Sequence, residues 1–490
     1  MSIIAASTST QSSVHAEAVA APVPRAIWSP MAWLTTDANQ AWSHNVLLEI
    51  ENGAWSKITS GVTRTDADER GATLVDAPLL PGIVNAHSHA FQRAFAGLAE
   101  RRETESDDFW SWRDRMYRVA LAVSPQQLKA VASQLYLELL RGGYTQVCEF
   151  HYLHHAPDGA RYDDPLTIAW ALIDAAHDVG IGLTMLPVLY ERSGFTATSL
   201  RDDQRRFATN AKWVLDAQRR IIQYARESNA TTLNAGVAIH SLRAASESSI
   251  RELVALAEGP IHIHVAEQMG EVDECVKVTG SRPVKWLAKN FALDSRWQLV
   301  HATHVTQSEI DSVAASGACA VICPTTEANL GDGTTDVAAW LNAGTTLALG
   351  SDSHVTRDWR EELRLLEYGQ RLQHRARNIS ASPATGRNST ADNLFSRMST
   401  GGARAAGYAR WGLCVGARAD ALVVSSCEAS LLGIPESRTL DALIFSSPSQ
   451  SFNDVMVAGH WVIRNGEHAA SDEISNAFVH AMNHLWSAEK

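Results

Sequence analysis

The stretch Gly82-Ile83-Val84-Asn85-Ala86-His87-Ser88-His89 joins a short apolar run to a pair of histidines. A run this short, entered through Pro81-Gly82, reads as a buried strand. The same texture returns seven times downstream, at Gln146–Cys148, Leu183–Leu189, Gly236–Ile239, Ile261–Ile263, Gln298–Val300, Cys319–Cys323 and Thr346–Leu349. Helical patterns lie between the runs. The clearest starts at Ser124-Pro125, an N-cap followed by proline at the first helical position. It continues through Leu128, Val131, Ala132, Leu135 and Leu139 and stops at Gly142-Gly143. Eight strand–helix repeats predict an α/β fold, a (β/α)₈ barrel over residues 81–404.

Outward from the barrel, residues 26–80 and 405–470 carry short alternating strands. Asn45–Ile50 leads into Asn52-Gly53, and Asp454–Ala458, Gly459 and Trp461–Ile463 with Asn465-Gly466 form a second hairpin pattern. The two pieces predict one small β-sandwich domain stitched from both ends of the chain. Residues 471–490 are expected to form a C-terminal helix. Residues 1–25 are rich in Ser, Ala, Thr and Val, without a basic start or a compact apolar core, and read as a disordered extension rather than a secretory signal.

Composition narrows the class. Of 490 residues, 45% are hydrophobic and 20% charged, enough apolar material for a large core. The net charge of −12 argues against a nucleic-acid or anionic-membrane binder. Six cysteines with no CxxC pair point to a reducing, cytoplasmic setting. No apolar run approaches the roughly 18 residues of a membrane-spanning helix.

The chemistry sits at the strand ends. His87 and His89 follow the first strand; Glu149, His151 and Tyr152 the second; Tyr190-Glu191-Arg192 the third. His240 and Arg243 follow the fourth; His264 and Glu267 the fifth; His301 and His304 the sixth. Thr325-Thr326-Glu327 and Ser351-Asp352-Ser353-His354 close the series. In a barrel these tips share one mouth. Side chains alternate along a strand, so both imidazoles of His87 and His89 point the same way. With His264 and Asp352 they make a donor set for zinc that leaves a place for water. No lysine stands near Ile239-His240-Ser241 to bridge a second ion, so one metal is expected. Glu267 and His301 are placed to handle the proton of that water, and His304 reads as structural.

The motifs HSH at 87–89, HxxE at 264–267, HxxH at 301–304 and SD at 351–352 resemble the mononuclear deaminase branch of the amidohydrolase superfamily. Longer stretches look like its formimidoylglutamate deiminase family: Pro81–Arg93, Asp108–Arg113, Glu149–His155, His240–Arg243, His262–Gln268, Thr326–Gly333 and Gly350–His354. The likeness runs from about Trp28 to about His480. It implies one zinc per subunit on His87, His89, His264 and Asp352, with catalysis by Glu267, His301 and Asp352. It places substrate contacts at Gln92, Arg113, Tyr152, His240 and Arg243. The implied reaction is deimination of N-formimino-L-glutamate to N-formyl-L-glutamate and ammonia, in histidine degradation, by a cytoplasmic homodimer. Residue chemistry agrees: arginine matches the carboxylates of a small dicarboxylate better than lysine does, and Gln92 and Tyr152 offer hydrogen bonds. Arg113 lies beside Phe109, Trp110 and Trp112, a segment that reads as a lid. Cys323-Pro324-Thr325 and the N-terminal extension depart from the family pattern. The rivals are a purine or other heterocycle deaminase, which needs no such arginines, and a metal-free scaffold protein.

Overall fold

The computed structural model describes residues 23–35, 40–102, 109–425, 428–448 and 452–487. The eight apolar runs form eight strands: β1 (Ile83–Ser88), β2 (Tyr144–His151), β3 (Gly182–Leu189), β4 (Val237–Ser241), β5 (Ile261–Val265), β6 (Trp297–His301), β7 (Cys319–Ile322) and β8 (Thr346–Leu349). They pair in parallel and in chain order, the (β/α)₈ barrel. Nearly every strand residue is buried, because helices cover the outside and side chains fill the inside.

The ring closes just past β8. Ser88 pairs with Asp352, the Asp352 N–H donates to His87 O at 3.0 Å, and the His89 N–H donates to Asp352 O at 3.3 Å. Asn85 clasps Ser351 twice: its Nδ2 donates to Ser351 Oγ at 2.7 Å, and its Oδ1 accepts the Ser351 N–H at 2.9 Å. Gly350 makes the approach possible, since a Cβ there would lie 2.6 Å from His87 Cβ and 2.9 Å from Cys323 Sγ.

The helix expected after Ser124 spans Pro125–Arg141. Its start is a capping box: Ser124 Oγ accepts the Gln127 N–H, and the Gln127 side chain accepts the Ser124 N–H. Leu128, Val131, Ala132, Leu135 and Leu139 are all buried on the barrel side. Gly143 follows with φ +88°, a conformation suited to glycine.

The flanking segments form one mixed sheet. Its order is His460–Ile463, Asp454–Val457, Ala421–Val423, Leu79–Leu80, Ala26–Thr35, Gln40–Glu51 and Ala54–Thr59, with Thr73–Leu74 beside Ala26–Thr35. The two chain ends meet where Leu79–Leu80 pairs antiparallel with Ala421–Val423. The sheet coils on itself. The Trp55 N–H donates to Ala417 O at 2.9 Å and the Ala419 N–H to Gly53 O at 2.8 Å, and Ile27, Val46, Trp55, Leu79, Ala421 and Met456 share the enclosed core. The second hairpin turns at Ala458-Gly459, both at positive φ, and Asn465-Gly466 turns the chain after its last strand. Between these C-terminal strands, helix Thr439–Phe445 buries Leu440, Leu443 and Ile444 against helices Trp359–His374 and Thr390–Ala405, so this piece serves the barrel. Helix Ser471–Leu485 packs on Pro125–Arg141. Residues 1–22 of the expected extension, residues 488–490 and Asp108 lie outside the described residues. Among the described residues no helix is long and apolar enough to cross a membrane.

Candidate active site

Three imidazoles meet at the mouth. The Nε2 atoms of His87 and His89 lie 3.1 Å apart, and His264 Nε2 lies 3.0 Å from His87 Nε2. Asp352 Oδ1 stands 3.6 Å from His87 Nε2 and 3.4 Å from His89 Nε2. The tautomers of His89 and His264 follow from their outer partners. His89 Nδ1 is 2.9 Å from Phe150 O, and His264 Nδ1 is 2.9 Å from His240 O. A carbonyl can only accept, so Nδ1 carries the proton and Nε2 offers its lone pair to the centre. Burial holds all three rings below the ordinary histidine range, His89 at about 3, and repulsion from neighbouring imidazoles, His301 among them, adds to it. Lone pairs and a carboxylate facing one point repel one another unless a cation stands among them. The three imidazoles fit a divalent metal, with the Asp352 carboxylate beside two of them.

The opposite side is acidic. His301 Nε2 lies 3.7 Å from Asp352 Oδ2 and 3.7 Å from Glu267 Oε1, and its Nδ1 lies 3.4 Å from Glu327 Oε1. Glu327 is itself fixed, accepting the Cys323 N–H at 3.0 Å. Asp332 joins this side, taking a hydrogen bond from Gln268 Nε2. Burial alone would lower His301, but Glu267, Glu327 and Asp352 hold it up at about 10. Burial raises the Asp352 carboxyl to about 7, against the pull of His301.

Sharp turns aim these groups. Ala266, His301, Ala302, Asp352 and His354 all adopt left-handed backbone, with φ between +47° and +66°. For residues with a Cβ this costs roughly 1–3 kcal/mol each, a cost that clusters at functional sites. The chain leaves the strands abruptly there, turning His301 and Asp352 toward the centre.

A cleft opens above the cluster. Gln92, Arg113, Tyr152, His240 and Arg243 line it, together with His89, His264, Glu267, His301 and Asp352. His87 sits below, fully buried. Gln92 lies on the 3₁₀ turn Ala90–Ala94, and its Nε2 donates to the Tyr152 hydroxyl at 3.3 Å. Arg113 projects from helix Phe109–Ala122, its guanidinium 5.5 Å from the Tyr117 ring centre. Arg243 stands half-buried past β4; desolvation would lower it, but Glu271 and Glu267 hold it charged. The His240 ring packs 4.2 Å from Tyr190. His304 stays outside the cleft, half-buried, its N–H on Ala266 O.

Sequence reasoning gave no role to Tyr117, Tyr190, Glu327 or Asp332. Tyr117 stands four residues after Arg113, so helical spacing alone puts it on the same face. Tyr190 and Glu327 are strand-end residues in the same series as the others. Asp332 lies in a loop with no such signal.

The sequence pattern of the amidohydrolase family matches residues 79–462. A formimidoylglutamate deiminase from Pseudomonas aeruginosa is 42% identical over 452 residues, which is 91% of this chain and 97% of that one. A 5-methylthioadenosine/S-adenosylhomocysteine deaminase from Halobacterium salinarum is 27% identical over 416 residues, 82% and 86% of the two chains. Among solved structures, an amidohydrolase from Brucella melitensis has a TM-score of 0.87 at 38% identity, covering 94% of this chain and 99% of that one. An adenosine deaminase from Xanthomonas campestris, with bound zinc, has a TM-score of 0.76 at 20% identity, covering 94% and 98%, a likeness of fold.

Proposed function

The chain belongs to the amidohydrolase family, and from that membership we propose that it is a metal-dependent deiminase converting N-formimino-L-glutamate to N-formyl-L-glutamate and ammonia in histidine degradation. One observation carries the reading. A single cleft brings the imidazole–carboxylate cluster together with two arginines, Arg113 and Arg243. The substrate has the matching polarity, with two carboxylates at one end and a cationic amidine at the other.

A zinc ion held by His87, His89, His264 and Asp352 would supply Lewis-acid activation of a hydrolytic water near neutral pH. The side chains do the rest. Arg113 and Arg243 pair with the carboxylates, a geometry guanidinium suits. Gln92, Tyr152 and His240 hydrogen-bond the remaining polar atoms and orient the amidine toward the acidic side. Asp352 takes the proton that water loses as its oxygen bonds to the formimino carbon, and His301, held protonated among carboxylates, steadies the negative charge that builds on that oxygen. Glu267 gives a proton to the terminal nitrogen, the C–N bond breaks and ammonia leaves, and the remaining hydroxyl returns a proton to Glu267 as the formyl carbonyl forms. Helix Phe109–Ala122 covers the cleft with Trp112 and Met116 and limits water there.

Zinc-loaded protein given N-formimino-L-glutamate should release ammonia and N-formyl-L-glutamate in equal amounts. Glutamate and formamide as products would sink the reading. Arg113→Met and Arg243→Met should each raise KM for this substrate by about 10²-fold, as loss of a charge-assisted pair does. Heterocycle deamination is the second reading, supported by the likeness to the Halobacterium deaminase. Turnover of a neutral purine derivative with none of N-formimino-L-glutamate would favour it.

A further inference from the structure

We propose that the 3₁₀ turn Asp202–Phe207, on the loop after β3, positions the carboxylate-binding wall of the cleft, with Arg206 and Gln204 as positioning residues. The proposal rests on the reading of the cleft as a dicarboxylate site. Arg206 belongs to an Arg205-Arg206 pair in a loop, where a solvated charge is the ordinary expectation. Instead its side chain is fully buried. Its Nε donates to His155 O at 2.7 Å, and its Nη1 donates to Ala120 O at 2.5 Å and Val123 O at 2.9 Å. Its own carbonyl accepts the N–H groups of His154 and His155 at 2.9 and 3.1 Å. One residue therefore ties the loops after β2 and β3 to the end of helix Phe109–Ala122.

The position on that helix matters. Carbonyls in the last helical turn lack intrahelical partners and carry the negative end of the helix dipole. A guanidinium there satisfies both needs, and its removal leaves buried carbonyls unpaired. Gln204 works two residues upstream. Its Oε1 accepts the Arg201 N–H at 3.1 Å, so its amide nitrogen faces the other way. That Nε2 donates to the Tyr190 hydroxyl at 2.9 Å and the Tyr117 hydroxyl at 3.4 Å. Phe207 completes the backing, its ring centre 5.2 Å from Tyr152, 5.4 Å from Tyr117 and 5.5 Å from Tyr190. All three tyrosines line the cleft, while Gln204, Arg206 and Phe207 do not. The turn acts on the substrate only through others: the tyrosines directly, and Arg113 through the helix that bears it.

Steady-state kinetics on the zinc-loaded enzyme, with amide hydrogen exchange, test this. Arg206→Met should raise KM for N-formimino-L-glutamate about tenfold while kcat stays within about threefold, the pattern of lost binding rather than lost chemistry. Arg206→Lys, which keeps a donor at the helix end, should recover part of that loss. Metal content should equal wild type. Amides of Phe109–Ala122 should exchange faster in Arg206→Met, with those of Ile261–Val265 unchanged. Gln204→Leu keeps the guanidinium in place and should give the same KM-weighted loss, so the test survives if Arg206→Met does not fold. A fall in kcat with KM unchanged, or no change in KM for either variant, overturns the proposal. Inactive wild type would instead count against the functional reading, and the exchange comparison would still decide the role of Arg206.

Discussion

The two sides of the barrel mouth use the same side chain to opposite ends. On one side His87, His89 and His264 face one another, and burial above all keeps the rings neutral. On the other, His301 is as deeply buried but stands among Glu267, Glu327 and Asp352, which keep it protonated well above neutral pH. Burial acts alike on both, so the carboxylates make the difference. Neutral imidazoles, two of them with their Nδ1 protons fixed by backbone carbonyls, suit metal binding. A charged imidazole between carboxylates is suited to donating a hydrogen bond or steadying negative charge. Role here is set by neighbours, not by residue type.

That contrast can be broken from either side. The largest effect should come from His264→Ala, which removes a donor from the neutral side: bound zinc should fall below about a tenth of wild type, and kcat by about 10³-fold or more. Full metal content with activity kept would show that the imidazoles are not the ligand set. Stripping the metal with a chelator should lower the Tm of the wild type by about 5 °C or more, with recovery on adding zinc, because a ligand bound only by the folded state stabilises it. An unmoved Tm would argue that nothing is held there.

Glu327→Gln probes the acidic side. It removes one of the carboxylates that oppose burial at His301, so in metal-free protein that ring should titrate at lower pH by NMR, and kcat should fall roughly tenfold. An unchanged midpoint would take Glu327 out of the comparison. The smallest effect concerns Glu362, behind the same loop. It accepts the Thr325 N–H at 2.9 Å and the Thr325 hydroxyl at 2.7 Å, yet burial raises its carboxyl from 4.5 to about 8. The folded state thus holds this proton more tightly than the unfolded chain does. The stability it brings is complete below the unfolded value and is lost as pH rises through the folded one. Glu362→Gln cannot ionise, so its Tm relative to wild type should climb between pH 5 and 8, by a few degrees. A constant difference over that range would mean that Glu362 is already ionised.

Much of this was legible in the sequence because it is local. A strand alternates with period two, so His87 and His89 share a side before any fold is known, and short apolar runs name their own ends. The cap at Ser124 and the stop at Gly142-Gly143 are equally local. What was hidden depends on distant partners. Nothing near Arg206 in the chain tells that Ala120 and Val123 will need its donors. Glu327 and Asp332 reach His301 only through the return of a loop. Helix Thr439–Phe445 lies within a stretch of strands and finds its partners on the barrel, a choice made by packing rather than by propensity. The coiling of the small sheet follows from pairings between residues hundreds of positions apart, such as Leu80 with Leu422.

The clasp of Asn85 on Ser351 joins residues 266 positions apart, and it sets a timetable. His87 and His89 leave the ribosome early and Asp352 late, so the four donors cannot meet until the chain has been made through its eighth strand. Contacts this distant also repay their closure entropy last. A nascent chain can gather single histidines around an ion, but it cannot complete the ligand set until its first and eighth strands have met. A metal held by all four donors would therefore report that the ring has closed.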